Sequence, residues 1–285
     1  MARLLPSRKF GPSGITVTRV GLGGEGVLRT YDKAEQAEEV IAAAAASGIT
    51  YFDTARVYSD SEKYLGAYWT KNPDERKSFF QTSKSASRDK DGAQADLEST
   101  LKRLNTSYLD LWQIHDLRTE QDFKAIERAG GALEAFIDAK KTGVVRYIGV
   151  TGHHDPYILT RAVQEWPVDA VLMPVNPVEA VLGGFMTHTM EAARQKNIAV
   201  IGMKVLGASH YILPKFFITA DLLIRFALSY DIEVAIVGCS DQLEVKTLVQ
   251  ACNAASHQLS AEERNRIIKI FTPFAQRLAF YRGVG

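Results

Sequence analysis

Short apolar runs alternate with longer amphipathic stretches along most of this chain. The runs fall at about residues 18–23, 50–53, 78–82, 108–114, 145–150, 168–173, 198–204 and 233–237. Each has strand length and is bounded by turn or capping residues, so each reads as a buried strand. The stretches between them carry helix signals. Asp32 is expected to cap a helix running to about Ser47, with Gly48 ending it. A second helix runs from Ser61 to just before Asn72-Pro73, and a third opens at Asp91 and ends before Asn105. One continuous helix is predicted over 123–141, with Gly143 beyond it. Asp155-Pro156 opens the next, Pro156 being suited to a first turn. Further helices are predicted over 186–196, 220–230 and 241–251. Ahead of the first strand, a short hairpin turns near Pro12-Ser13-Gly14. Beyond the last pair, 260–275 is one more helix, with Ser260-Ala261-Glu262-Glu263 as a capping box.

Eight strands alternating with helices predict a parallel (β/α)8 TIM barrel with a short N-terminal hairpin and an extra C-terminal helix, one domain over residues 1–285. The alternation taken alone also admits an open, doubly wound sheet.

Composition narrows the function. The 285 residues suit one barrel of about 250 residues plus extras. A net charge of +1 argues against a nucleic-acid or anionic-membrane partner. Two cysteines, Cys239 and Cys252, provide no framework of bridges and suit a reducing cytoplasm. The first residues, MARLLPSRKFGPSG, lack the apolar core and cleavage site of a signal peptide. No apolar run approaches the ~18 residues of a membrane span. A cytoplasmic protein is expected.

Two motifs have bland readings. Gly21-Leu22-Gly23-Gly24-Glu25-Gly26 matches G-x-G-x-x-G after a strand, but a dinucleotide-binding turn would open its helix inside the motif. The next helix signal waits until Asp32, so the glycines read as a strand end where backbone comes close to something. His153-His154-Asp155 hints at a metal, but adjacent histidines diverge and no further ligand is spaced to join them, so no metal is expected.

A sharper constellation spans several strands. Asp53 ends the second run and Tyr58 lies in the loop after it; Lys84 follows the third run and His115 the fourth. Alone, the acid could cap a turn, the tyrosine pack, and the lysine and histidine be solvated. In a barrel all four positions converge on one mouth, where the chemistry of this fold sits.

These residues stand in stretches that resemble the aldo-keto reductase family along nearly the whole chain. DTARVYSDSEKYLG resembles the family pattern DTA-x-x-Y-G-x-S-E-x-x-L-G, with Ser59 in the place of its glycine. TSK, LDLWQIHD, GALEAFIDAKKTGVVRYIGVTGHH and IVGCSDQL follow in family order. The resemblance implies reduction of an aldehyde or ketone by hydride transfer from NADP(H), with NAD(H) open, and Tyr58, Asp53, Lys84 and His115 as the catalytic set. A tyrosine near pKa 10 is a weak acid at neutral pH. A Lys84 cation would make Tyr58 a better proton donor, Asp53 would hold Lys84, and His115 would orient or polarise the carbonyl. A non-catalytic nicotinamide-binding barrel is the alternative.

The resemblance also implies cofactor contacts, some with departures. Thr151-Gly152 stands where many members have Ser-Asn, and Asn176 is the available amide where a glutamine is usual. Met203 takes the place of an aromatic on the nicotinamide face, and Lys204 suits a pyrophosphate. Gly23, Gly24, Asp53, Leu206, Gly207, Gly238, Cys239, Ser240 and Gln242 complete the set. A basic residue for a 2′-phosphate is not evident; Lys246 is the candidate. Glu25, Tyr31, His153 and Phe185 are candidate substrate-pocket residues. The connection over 206–217 is short for a lid, and Trp112 is expected near the mouth.

Overall fold

The computed structural model describes residues 5–254 and 258–283. Strands β1 (Ser7–Lys9) and β2 (Thr16–Thr18) form the antiparallel hairpin. Eight parallel strands follow: β3 (Val20–Gly26), β4 (Tyr51–Phe52), β5 (Phe80–Ser85), β6 (Leu109–Ile114), β7 (Val145–Thr151), β8 (Ala170–Pro174), β9 (Ala199–Met203) and β10 (Val234–Cys239). They neighbour one another in chain order, and β10 pairs with β3 to close a TIM barrel.

Helices α1 (Ala34–Ala46), α2 (Ser61–Lys71), α3 (Lys90–Arg103), α4 (Glu120–Glu127), α5 (Ala132–Thr142) and α6 (Pro156–Glu165) form the outer ring of the first half. Helices α7 (Pro177–Leu182), α8 (Met190–Gln195), α9 (Ala220–Leu228) and α10 (Gln242–Ala254) continue it, with α11 (Ala261–Phe271) and α12 (Ala275–Leu278) as additions. Among the described residues no helix is long and apolar enough to cross a membrane.

Several helix starts are set by the capping residues expected. Asp155 accepts bonds from the Tyr157 and Ile158 amides with Pro156 in the first turn, and Ser260 and Glu263 bond reciprocally. Others differ. Asp32 sits at φ 56°, one residue ahead of the N-cap position, and caps nothing. Asp89, not Asp91, caps α3 through the Gly92 amide. The single helix expected over 123–141 is two helices, because the chain leaves helical geometry at Arg128 and turns through Gly130 at φ 73°. At Gly131 a Cβ would lie 2.3 Å from the Ile126 carbonyl oxygen. Helix α7 and the π-turn at Phe185–Thr189 were not read from the pattern.

Strand alternation sorts the core. Tyr51, Leu111, Leu172, Ile201 and Ile236 fill the barrel interior, while Phe52, Trp112, Val171, Val200 and Ala235 face the helices. Phe10, from the hairpin, plugs the N-terminal end of the barrel, its ring 4.6 Å from that of Phe80. The opposite end is left to the loops.

The third barrel strand was expected over 78–82 and runs instead over Phe80–Ser85, all buried. Apolar character stops at Phe80, but the polar side chains that follow are partnered. Gln81 accepts from Trp69 Nε1 at 3.0 Å, Thr82 donates to Asp53 at 2.8 Å, and Ser83 donates to Glu62 at 2.7 Å. A buried strand tolerates polar side chains when their groups are satisfied.

Candidate active site

Four of the residues singled out meet at the C-terminal mouth. Asp53 follows β4 directly, and Lys84 is the fifth residue of β5 rather than a loop residue. Lys84 Nζ lies 2.6 Å from Asp53 Oδ2 and donates to the Thr54 carbonyl at 2.7 Å. Both side chains are almost wholly buried, Lys84 at 1% and Asp53 at 2% exposure. The ammonium sits 4.9 Å from the centre of the Tyr58 ring, and the His115 ring meets Tyr58 edge-on at 5.5 Å. Tyr58 is placed by a turn in which Ser59 holds φ 42°. That left-handed backbone is why glycine suits position 59.

The electrostatics differ from expectation. Burial pushes the Tyr58 phenol well above its usual value, Asp53 and Glu25 adding to the effect, while Arg29 opposes it. Lys84 does not emerge as the cation that lowers Tyr58, because Asp53 matches its charge. Burial also lowers the Lys84 ammonium against the pull of Asp53.

Burial, then the Lys84 charge, push the His115 imidazole down to about 3, and its Nδ1 is buried with no hydrogen-bond partner among the described residues. The folded protein therefore holds a neutral histidine where the unfolded chain takes up a proton near pH 6.5. Stability from this group is present above that value and is lost toward pH 3, at up to about 1.4 kcal/mol per pH unit. Urea unfolding of wild type and His115→Gln between pH 7 and 4.5 checks this. The advantage of wild type should shrink on acidification; parallel curves would show that His115 does not titrate this way.

A cavity of about 530 Å³ opens beside Asp53 and Tyr58. Gly23 and Gly24 floor it, because a Cβ at Gly24 would meet Tyr58 at 2.8 Å. Met203, Lys204, Leu206 and Gly207 wall one side, and Gly238 and Ser240 another. Five further wall residues, Glu25, Gly26, Arg29, Glu244 and Thr247, complete the polar or glycine rim. Of these, Glu25 and Gly26 stand in the glycine motif noted in the sequence. Arg29 carried no local signal; its importance comes from standing 4.8 Å over the Tyr58 ring and 2.8 Å from Glu25.

Other expected contacts lie off the cavity wall. The Asn176 amide is spent on structure: it accepts from the Glu179 amide and donates to the Lys204 carbonyl and to Tyr281 Oη. Thr151 accepts from the Asp116 amide and is 2% exposed. Cys239 is buried, its thiol pushed up to about 12 by burial, and Gln242 reaches Glu39 on the surface. Lys246 is exposed and also off the wall. Phe185 is buried and Tyr31 is 67% exposed. His153 bonds the Tyr281 carbonyl and faces Asp116 at 3.3 Å. Trp112 stacks on Phe136 at 3.6 Å, away from the mouth, because it occupies the helix-facing side of β6.

Two chain segments finish the mouth. Residues 205–209 form wall, and the fully buried Tyr211 anchors them by donating to the Leu278 carbonyl at 3.0 Å. The segment at 279–283 folds back over α7. Tyr281 donates to the buried Glu179 at 2.9 Å, and Arg282 pairs with the same carboxylate.

The family model described as Aldo/keto reductase family matches residues 19–211. A 219-residue stretch is 28% identical to the Schizosaccharomyces pombe aldo-keto reductase yakc [NADP(+)], covering 71% of this chain and 62% of that one. The Strobilurus tenacellus aldo-keto reductase str7 is 28% identical over 217 residues, with the same coverages of 71% and 62%. The match thus spans less than two thirds of either relative. Among solved structures, the holo form of aldo-keto reductase AKR11C1 from Bacillus halodurans superposes with a TM-score of 0.76 at 21% identity, over 93% of this chain and 96% of that one. That likeness shows a shared fold. With the family model covering most of its length, this chain belongs to the aldo/keto reductase family.

Proposed function

We propose that this protein reduces an aldehyde or ketone to an alcohol with a nicotinamide cofactor, Tyr58 serving as general acid. The observation that carries the reading is the buried Asp53–Lys84 pair beside Tyr58 and His115, with Asp53 and Tyr58 on the cavity wall. The reduced nicotinamide, when bound, supplies the hydride. Tyr58 Oη donates its proton to the carbonyl oxygen as negative charge develops there. An alkoxide is far more basic than a phenolate, so even a phenol raised by burial gives up its proton at that point. Neutral His115, with Nδ1 buried, has Nε2 left to donate to the same oxygen. Lys84 and Asp53 hold the ring's surroundings fixed.

The cavity fits the cofactor in size and lining. Its volume lies within the range of about 300–1,000 Å³ found for ligand sites. Met203 and Leu172 are apolar wall, and Lys204 supplies a cation for a pyrophosphate. NADP(+) stands in the name of the Schizosaccharomyces pombe relative, and we take NADP(H) as the principal form, with NAD(H) accepted. At the β10 end the wall has no Lys or Arg among the described residues. Glu244 accepts there from the Ser240 amide at 2.6 Å, and Asp241 from the Glu244 amide at 2.9 Å. These carboxylates occupy amides that a 2′-phosphate would otherwise use. Glu244→Lys should tighten NADPH relative to NADH by about tenfold, or ~1.4 kcal/mol. Calorimetric dissociation constants for both cofactors check it; an unchanged ratio would remove Glu244 from the cofactor's phosphate end.

The reading as a whole is tested by a panel of aldehydes and ketones with each cofactor, following loss of reduced-nicotinamide absorbance. Turnover supports it. Cofactor binding with no turnover of any carbonyl would favour the non-catalytic barrel.

A further inference from the structure

Two cations approach the Tyr58 ring, and they differ in availability. Lys84 is enclosed and saturated by Asp53 and the Thr54 carbonyl. Arg29 stands on the cavity wall with its side chain 46% exposed, and its charged partner Glu25 is 45% exposed at 2.8 Å. A half-exposed pair of this kind is weak and exchangeable. Beneath it the backbone is fixed: Val27 and Leu28 are buried, and Gly26 lies at φ 68° where a Cβ would meet the Cys239 carbonyl oxygen at 2.4 Å. The guanidinium can therefore change partner without the loop moving.

We propose that Arg29 binds an anionic group of the carbonyl substrate, so that the favoured substrates are aldehydes or ketones bearing a carboxylate. The proposal rests on the carbonyl-reductase reading. A carbonyl oxygen at Tyr58 Oη leaves the rest of the substrate in the cavity beside that ring, within reach of Arg29. A guanidinium presents a planar pair of N–H donors that matches a carboxylate. The substrate carboxylate replaces that of Glu25, which turns toward the solvent-filled side of the cavity. The wall as a whole carries little net charge, since Lys84 neutralises Asp53 and the carboxylates of Glu25 and Glu244 are balanced by Arg29 and Lys204. A preference for anionic substrates must then come from the local contact, and Glu25 must compete with it.

The test compares 4-carboxybenzaldehyde with benzaldehyde in wild type, Arg29→Met, Arg29→Lys and Glu25→Gln. The ratio of their kcat/KM values within each protein cancels any general effect of a substitution on Tyr58 or on folding. Wild type should prefer the carboxylate by about tenfold or more. Arg29→Met should bring the ratio to one or below, Arg29→Lys should restore part of it, and Glu25→Gln should raise it. Calorimetric binding of 4-carboxybenzyl alcohol against benzyl alcohol should follow the same order without requiring turnover. A wild-type ratio near one, or a ratio that Arg29→Met leaves unchanged, overturns the proposal. Reduction of both aldehydes with no Arg29 dependence leaves the reductase reading standing and removes this site. Arg29-dependent binding with no reduction of any aldehyde keeps the carboxylate site and removes the reductase reading.

Discussion

Tyr58→Phe is expected to lower kcat/KM for carbonyl reduction by about 10²–10⁴, the usual contribution of a positioned general acid. The substitution takes away one hydroxyl. The ring keeps its contacts with Lys84 at 4.9 Å, Arg29 at 4.8 Å and His115 at 5.5 Å, so fold and cofactor affinity should stay near wild type. Steady-state kinetics on one aldehyde, with calorimetric binding of NADPH beside it, separates the two effects. Activity within a few fold of wild type would remove Tyr58 as the acid. The pH profile carries a second check. With Tyr58 in the proposed role of acid, reduction should need it protonated, so the rate should be present below the phenol pKa and lost above it. Burial lifts that pKa well above 10. The wild-type profile should therefore show no Tyr58 limb below about pH 10. A limb near pH 8 would mean that the bound cofactor reverses the shift.

The second large effect concerns the buried pair. Lys84→Met leaves the Asp53 carboxylate, and Asp53→Asn leaves the Lys84 ammonium, without a counter-charge in a site that excludes water. Breaking a buried pair from one side costs about 3–5 kcal/mol. Each single variant should lose about that much in urea unfolding, and each should also lose reduction, since the surroundings of Tyr58 collapse with the pair. The double variant removes both charges and should be less destabilised than the sum of the singles by about 2 kcal/mol or more. Thr82, which donates to Asp53 at 2.8 Å, keeps an acceptor in Asp53→Asn if the amide oxygen faces it. Additive losses would show that the two charges are not coupled.

What could be read from the chain was whatever repeats locally. The eight strands, the hairpin and most helices follow from apolar runs separated by caps, and the Asp53, Tyr58, Lys84 and His115 quartet follows from their shared position at or just beyond the C-terminal ends of successive strands. Misplaced features have long-range causes. The β5 strand outruns its apolar pattern because Gln81 and Ser83 find partners on α2 and Thr82 finds one in Asp53, just past β4. Asn176 has the right chemistry for an amide contact, yet its donors are committed to Lys204 and to Tyr281, 105 residues further on. Arg29 gains its meaning only from a ring at position 58. Thr151 and Gln242 sit near the expected loops, but side-chain direction at a strand or helix end is decided by packing that no spacing reports.

The buried Glu179 carboxylate adds a dimension of time. Its cation, Arg282, lies 103 residues later in the chain. At synthesis rates of about 5–20 residues per second, roughly 5–20 s separate the two during translation. Until Arg282 and Tyr281 emerge, α7 carries an acid that cannot be enclosed as it is in the finished fold. The rim of the barrel beside β8 is therefore assembled from an early and a late piece of chain, and the vessel can close its wall before it can complete its lip.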